Sequence, residues 1–149
     1  MNKLIITLMF TLSSTLLCAQ ILTPVKWAYA ARKISNTEAI IMIKATIDVG
    51  WHIYSQNVAD GGPVKTTFTF SGNPNYRLLG KTLEPKPITK YEKAFSMNLS
   101  YFERSVVFQQ KVKLSRTGPI TVKGSLEYMT CNDQKCLPPD NVEFTVLIK

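Results

Sequence analysis

Apolar residues in this chain recur at every second position, and no segment carries the three-to-four spacing of an amphipathic helix. From Ala39 to Ile47 the odd positions are Ala39, Ile41, Ile43, Ala45 and Ile47, with Lys44 and Thr46 on the even side. A period of two puts all five on one face of a pleated strand, so this segment is predicted to be a half-buried β-strand. Val106, Phe108, Val112 and Leu114 repeat the pattern against Lys111 and Lys113. Ile120, Val122, Leu126 and Tyr128 alternate with Thr121, Lys123, Ser125 and Glu127, and Val142, Phe144, Val146 and Ile148 form a last strand. Shorter strands are expected around Val25 to Ile34, Trp51 to Ser55, Lys65 to Phe70, Tyr76 to Leu79 and Met97 to Phe102, with turn residues between them. Many short strands at this spacing specify an all-β fold, an immunoglobulin-like antiparallel β-sandwich, with a barrel as the alternative. Trp27, Trp51 and the strand phenylalanines are then core or strand-face residues.

The N-terminus sets the compartment. Lys3 is followed by the apolar run Leu4 to Leu17, and Leu17-Cys18-Ala19 precedes Gln20 as a cleavage site. Residues 1–19 read as a signal peptide and residues 20–149 as one exported domain, periplasmic or otherwise outside the cytosol. The run is shorter than the ~20 residues a spanning helix needs, and no second such stretch follows. Cys18 raises a lipoprotein alternative, disfavoured because Leu17 stands where a small residue is wanted. The formal charge is +8, but the lysines are dispersed and no groove-reading motif is present, so a solvated basic surface is expected rather than nucleic-acid binding. A monomer is the expected state.

Two cysteines remain in the mature chain, in Cys131-Asn-Asp-Gln-Lys-Cys136-Leu-Pro-Pro139. They fall in the connection between two late strands, where Asn132 and Asp133 favour a turn and Pro138-Pro139 stiffens the return. The chain can double back and bring the two Cα atoms within the ~4.4–6.8 Å of a disulfide. A staple closing so small a loop contributes only ~2 kcal/mol, and a short polar loop leaves sulfur within reach of a redox partner. Spacing alone leaves a redox role and a structural role both open. Zinc needs four ligands, and two cysteines with the single His52 do not supply them; no metal or organic cofactor is expected. Met97 and Met129 do not make a copper cluster.

Tyr128-Met-Thr-Cys131 followed by Cys136-Leu-Pro-Pro139, on an exported all-β domain, resembles the N-terminal periplasmic domain of the thiol:disulfide interchange protein DsbD. Gly50-Trp-His-Ile-Tyr54 with Ser55-Gln56 is similar to that family's aromatic segment, and Tyr101, opening the strand through Phe108, is a looser match. The similarity covers most of residues 25–149.

The resemblance implies an oxidoreductase component that takes electrons from a membrane thiol reductase and passes them to thioredoxin-like periplasmic proteins. Cys136 would form the mixed disulfides and Cys131 would resolve them. Lys135 favours the Cys136 thiolate and Asp133 opposes it. The family's flexible capping loop corresponds to Pro85 to Phe95, with Tyr91 or Phe95 as the capping ring; an ordinary solvent loop is the alternative. Tyr54 would line the cysteine site with His52 beside it, although a lone histidine is more often a packing or surface residue. The chain has one residue fewer between its cysteines than the best-known members and lacks their transmembrane and C-terminal thioredoxin-like parts, so donor and acceptor would be separate proteins. The competing reading is a non-catalytic β-sandwich binding module with an inert disulfide.

Overall fold

A computed structural model describes residues 22–149, so the signal peptide expected over residues 1–19, with Cys18, lies outside the described residues. The strands are β1 (Val25–Lys33), β2 (Glu38–Ile47), β3 (His52–Tyr54), β4 (Thr67–Phe70), β5 (Tyr76–Leu83), β6 (Ile88–Glu92), β7 (Met97–Glu103), β8 (Ser105–Leu114), β9 (Ile120–Tyr128), β10 (Thr130–Cys131) and β11 (Asp140–Ile148). Every strand pairing is antiparallel, and the described residues contain no helix. The first sheet has the order β1-β2-β8-β5, the second β11-β9-β4 and the third β10-β3-β7-β6.

The alternation explains the sandwich. Ala39, Ile41, Ile43 and Ala45 of β2 are fully buried, and so are Phe108 and Val112 of β8. They meet Val122 and Leu126 of β9 and Phe144, Val146 and Ile148 of β11, which line the facing sheet. Each of the larger of these side chains, fully withdrawn from water, contributes roughly 1.5–3 kcal/mol. Phe108 is the aromatic hub, with ring centroids 6.3 Å from Trp27, 4.8 Å from Phe68 and 5.7 Å from Phe102. Trp27 and Trp51 are half-buried against this core, as expected of strand-face residues.

Gln110 interrupts the apolar series and is nonetheless buried. It sits opposite an irregularity in β5 between Leu79 and Leu83, where the ladder to β8 breaks register. Its Nε2 donates to the carbonyls of Lys111 at 2.8 Å and Gly80 at 3.3 Å, and its Oε1 accepts from the Thr82 hydroxyl at 2.9 Å. A buried amide here satisfies backbone groups that the bulge leaves unpaired. The strand therefore runs on to Leu83, past the Leu79 boundary expected from sequence.

Two strands escaped the sequence reading. One is β10, a two-residue pairing with β3. The other is β6, which lies inside the segment expected to be a flexible loop and pairs with β7 from Ile88↔Tyr101 to Glu92↔Met97. The capping segment is thus a β-hairpin whose tip turns over 93–96, with Ser96 at φ 53°. Preceding prolines and the charged residues Lys90 and Glu92 hid a five-residue strand from the alternation test.

The third sheet creates two environments. Ile53 of β3 and Phe102 of β7 pair directly and face the main core. Their sequence neighbours His52, Tyr54 and Tyr101 necessarily point to the opposite face. The entry to β3 is set by a turn in which Trp51 N–H donates to Asp48 C=O at 3.1 Å and Gly50 adopts φ 83°, a conformation that side-chain-bearing residues rarely tolerate.

Candidate functional site

Cys131 and Cys136 are joined by a disulfide with Cα atoms 4.0 Å apart, closer than the separation expected from sequence. The reason is local pairing. The two residues form an antiparallel bridge, flanked by Leu137 N–H donating to Thr130 C=O and Asn132 N–H donating to Lys135 C=O, each at 2.9 Å. They therefore occupy a non-hydrogen-bonded cross-strand position, where backbones come nearest. Asn132 shapes the turn: its Oδ1 accepts from the N–H groups of Gln134 at 2.9 Å and Lys135 at 2.8 Å. That side chain makes a four-residue connection between the cysteines a defined hairpin.

The two sulfur-bearing residues differ sharply in environment. Cys131 is 2% exposed, packed with Tyr54, Leu99 and Tyr101, while Cys136 is exposed on the return strand. The buried residue is tied to the sheet: Cys131 pairs with His52, and the Thr130 hydroxyl donates to the His52 carbonyl at 2.9 Å.

His52, Tyr54 and Tyr101 form an aromatic trio on the same face. His52 Nε2 lies 3.2 Å from the Tyr54 hydroxyl, and the His52 ring centroid is 5.2 Å from Tyr54 and 4.8 Å from Tyr101. Burial lowers the His52 pKa from 6.5, partly opposed by the carboxylates of Glu103, Glu92 and Asp133. Burial pushes the Tyr54 hydroxyl up to about 12, helped by Glu92 and Tyr101, and raises Tyr101 as well. At neutral pH the wall beside Cys131 is thus uncharged imidazole and phenol.

The covers of this cluster are Val58, Phe95, Met97 and Met129, all half-buried against it. Of the two capping rings proposed from sequence, the structure brings only Phe95 to the cysteine face. Tyr91 pairs with Asn98, so strand parity turns it away from Leu99 and Tyr101, and it is 56% exposed. The cover packs on the cluster that contains Cys131, while Cys136 is exposed.

Leu99, Tyr101, Met97, Val58 and Asn132 were not proposed as site residues. Met97, Leu99 and Tyr101 were recoverable as an i, i+2, i+4 series facing Tyr54 once β7 was placed. Among the described residues no group of three or more His, Cys, Asp or Glu is placed to hold a metal ion.

An immunoglobulin-like sandwich with one buried and one exposed cysteine in a paired hairpin has the arrangement that a thiol–disulfide exchange domain requires. Residues 19–148 match the family model for thiol:disulfide interchange protein DsbD, N-terminal, and the chain belongs to that family. Solved structures agree on the fold. The reduced DsbD N-terminal domain of Neisseria meningitidis is 15% identical with a TM-score of 0.51, over 80% of this chain and 82% of that one. The complex between the DsbD and PilB N-terminal domains of the same organism matches at 15% identity and TM-score 0.55, over 85% of this chain and 87% of that one. The N-terminal periplasmic domain of ScsB from Proteus mirabilis matches at 16% identity and TM-score 0.55, over 86% of this chain and 49% of that one. No curated protein sequence matches.

Proposed function

We propose that this chain is an exported electron relay in which Cys131 and Cys136 cycle between dithiol and disulfide, with Cys136 as the partner-facing sulfur. The observation that carries the reading is the asymmetry of the pair: only Cys136 is open to an incoming thiolate, while Cys131 is held by the sheet beneath its cover. Exchange requires access to the attacked sulfur, and an inert staple does not.

The steps follow from that geometry. A donor thiolate attacks Cys136 Sγ, the bond to Cys131 breaks, and the Cys131 thiolate takes up a proton. The donor's second thiol then releases Cys136 as a thiolate, leaving the pair reduced by two electrons. In the second half-cycle the Cys136 thiolate attacks a partner disulfide. Cys131 gives up its proton and attacks Cys136 Sγ, restoring the disulfide and releasing the partner as a dithiol. Lys135 beside Cys136 favours its thiolate, and the uncharged wall at Cys131 disfavours a second one.

The donor in this reading is a membrane thiol reductase and the acceptors are thioredoxin-like proteins, in keeping with the DsbD–PilB domain complex among the similar structures. Residues 1–19 serve as the export signal and residues 20–149 as the working domain. His52 and Tyr54 line the resolving cysteine, and Phe95 caps it. The test is trapping. Cys131→Ala should accumulate a mixed disulfide with a thioredoxin-like partner through Cys136, and Cys136→Ala should give none. Equal trapping by both variants, or by neither, would contradict the assignment.

A further inference from the structure

Glu84 plays no part in the exchange steps, yet four donors converge on its carboxylate. The Ser55 hydroxyl and Asn57 Nδ2 reach Oε1, the latter at 3.0 Å. The Gln56 backbone N–H and Nε2 reach Oε2 at 2.9 Å and 3.4 Å. A carboxylate is acceptor-only with about four lone-pair sites, so this set of donors saturates it. No other acidic side chain among the described residues gathers as many.

Its place in the chain gives the cluster a purpose. Glu84 directly follows β5 and stands at the root of the β6–β7 hairpin, which carries Phe95 and Met97 against the cluster containing Cys131. The residues it holds, 55–57, directly follow Tyr54 and lead into Val58, which packs against the same cluster. Ser55 also donates its backbone N–H to Ser100 C=O of β7 at 2.9 Å. One carboxylate therefore fastens the roots of both covers to each other.

We infer that Glu84 is a positioning residue for exchange: it holds the hairpin and the Val58 loop closed together over Cys131 and so sets how often that thiol is uncovered. The inference rests on reading Cys131 as the sheltered, resolving thiol, but its test does not need a partner protein. Local opening of such a segment is separable from global unfolding.

The experiment is Glu84→Gln, which keeps the shape but turns one acceptor into a donor facing donors. Two readouts are taken on the purified protein: hydrogen exchange of β6 amides against β2 amides in the disulfide form, and iodoacetamide labelling of Cys131 against Cys136 in the reduced form. The expected result is about a tenfold rise in β6 exchange and in Cys131 labelling, with β2 and Cys136 unchanged, as loss of charge-assisted hydrogen bonds implies. Tyr76→Phe, which removes a remote hydrogen bond to Ser71 C=O of 2.6 Å, is the control and should move neither ratio. If Glu84→Gln does not fold, Asn57→Ala removes a single donor and should shift both ratios the same way, by about threefold. Ratios within about twofold of the unsubstituted protein, or a rise shared equally by β2, would overturn the inference. Failure of the trapping experiment with a loosened hairpin here would reject the relay and keep the joint; successful trapping with unchanged ratios would do the reverse.

Discussion

The two faces of the third sheet are built from the same strands and do different work. On one, Ile53 and Phe102 are pressed into the main core by the rest of the sandwich. On the other, one residue away along each strand, Tyr54 and Tyr101 pack with Cys131 beneath a loop and a hairpin tip. The inner face is closed by whole sheets and opens only when the domain unfolds. The outer face is closed by Val58, Phe95, Met97 and Met129, so it can open while the core stays intact. A strand's period of two is enough to place a reactive cysteine beside a rigid core without making it part of that core.

Substitutions on the two faces should separate these roles. The largest effect belongs inside: Phe102→Ala leaves a cavity edge-on to Phe108 and should cost about 3–5 kcal/mol in denaturant unfolding. Exchange per folded molecule should be little changed. Next comes reduction of the disulfide, which releases a loop so short that stability should fall by only ~2 kcal/mol and the fold should persist. A reduced protein that unfolds at room temperature would make the outer face structural after all.

Phe95→Ala is the converse of the core substitution. Its ring is only half-buried, so stability should fall by about 1 kcal/mol or less, while labelling of reduced Cys131 rises several-fold. Tyr91→Ala should do neither, because that ring faces away from the cysteine. The smallest effect is a pH dependence. His52 has a folded pKa below its unfolded value of 6.5, so its neutral form is favoured by folding. Stability from this group is fully present above pH 6.5 and declines as pH falls through the window beneath it, because the folded protein must then charge a half-buried imidazole. His52→Phe should flatten that acid limb in denaturation measured across pH, and an unchanged limb would assign it to other groups.

Much of this was legible in the sequence, for a physical reason. Alternation in Ala39 to Ile47, Val106 to Leu114, Ile120 to Tyr128 and Val142 to Ile148 is written by burial against a single core, and those strands lie where the period put them. The cysteine hairpin was legible because turn residues separate the pair at short range. What stayed hidden depends on pairing between distant segments. The choice between Tyr91 and Phe95 is a matter of hairpin register, and β6 is short, charged and preceded by Pro85 and Pro87. The unequal burial of Cys131 and Cys136 follows from β10 joining β3, a two-residue contact with no pattern of its own. The Glu84 cluster joins residues 27 to 29 positions apart and leaves no local trace.

The reduction potential of the Cys131–Cys136 pair tests the central claim most directly, read by thiol alkylation after equilibration in glutathione or dithiothreitol buffers. A relay with an accessible Cys136 should titrate between roughly −180 and −270 mV, within the span of exchange proteins, while the domain remains folded. A bond below about −300 mV, or one reducible only after unfolding, would contradict the relay and leave a stapled sandwich.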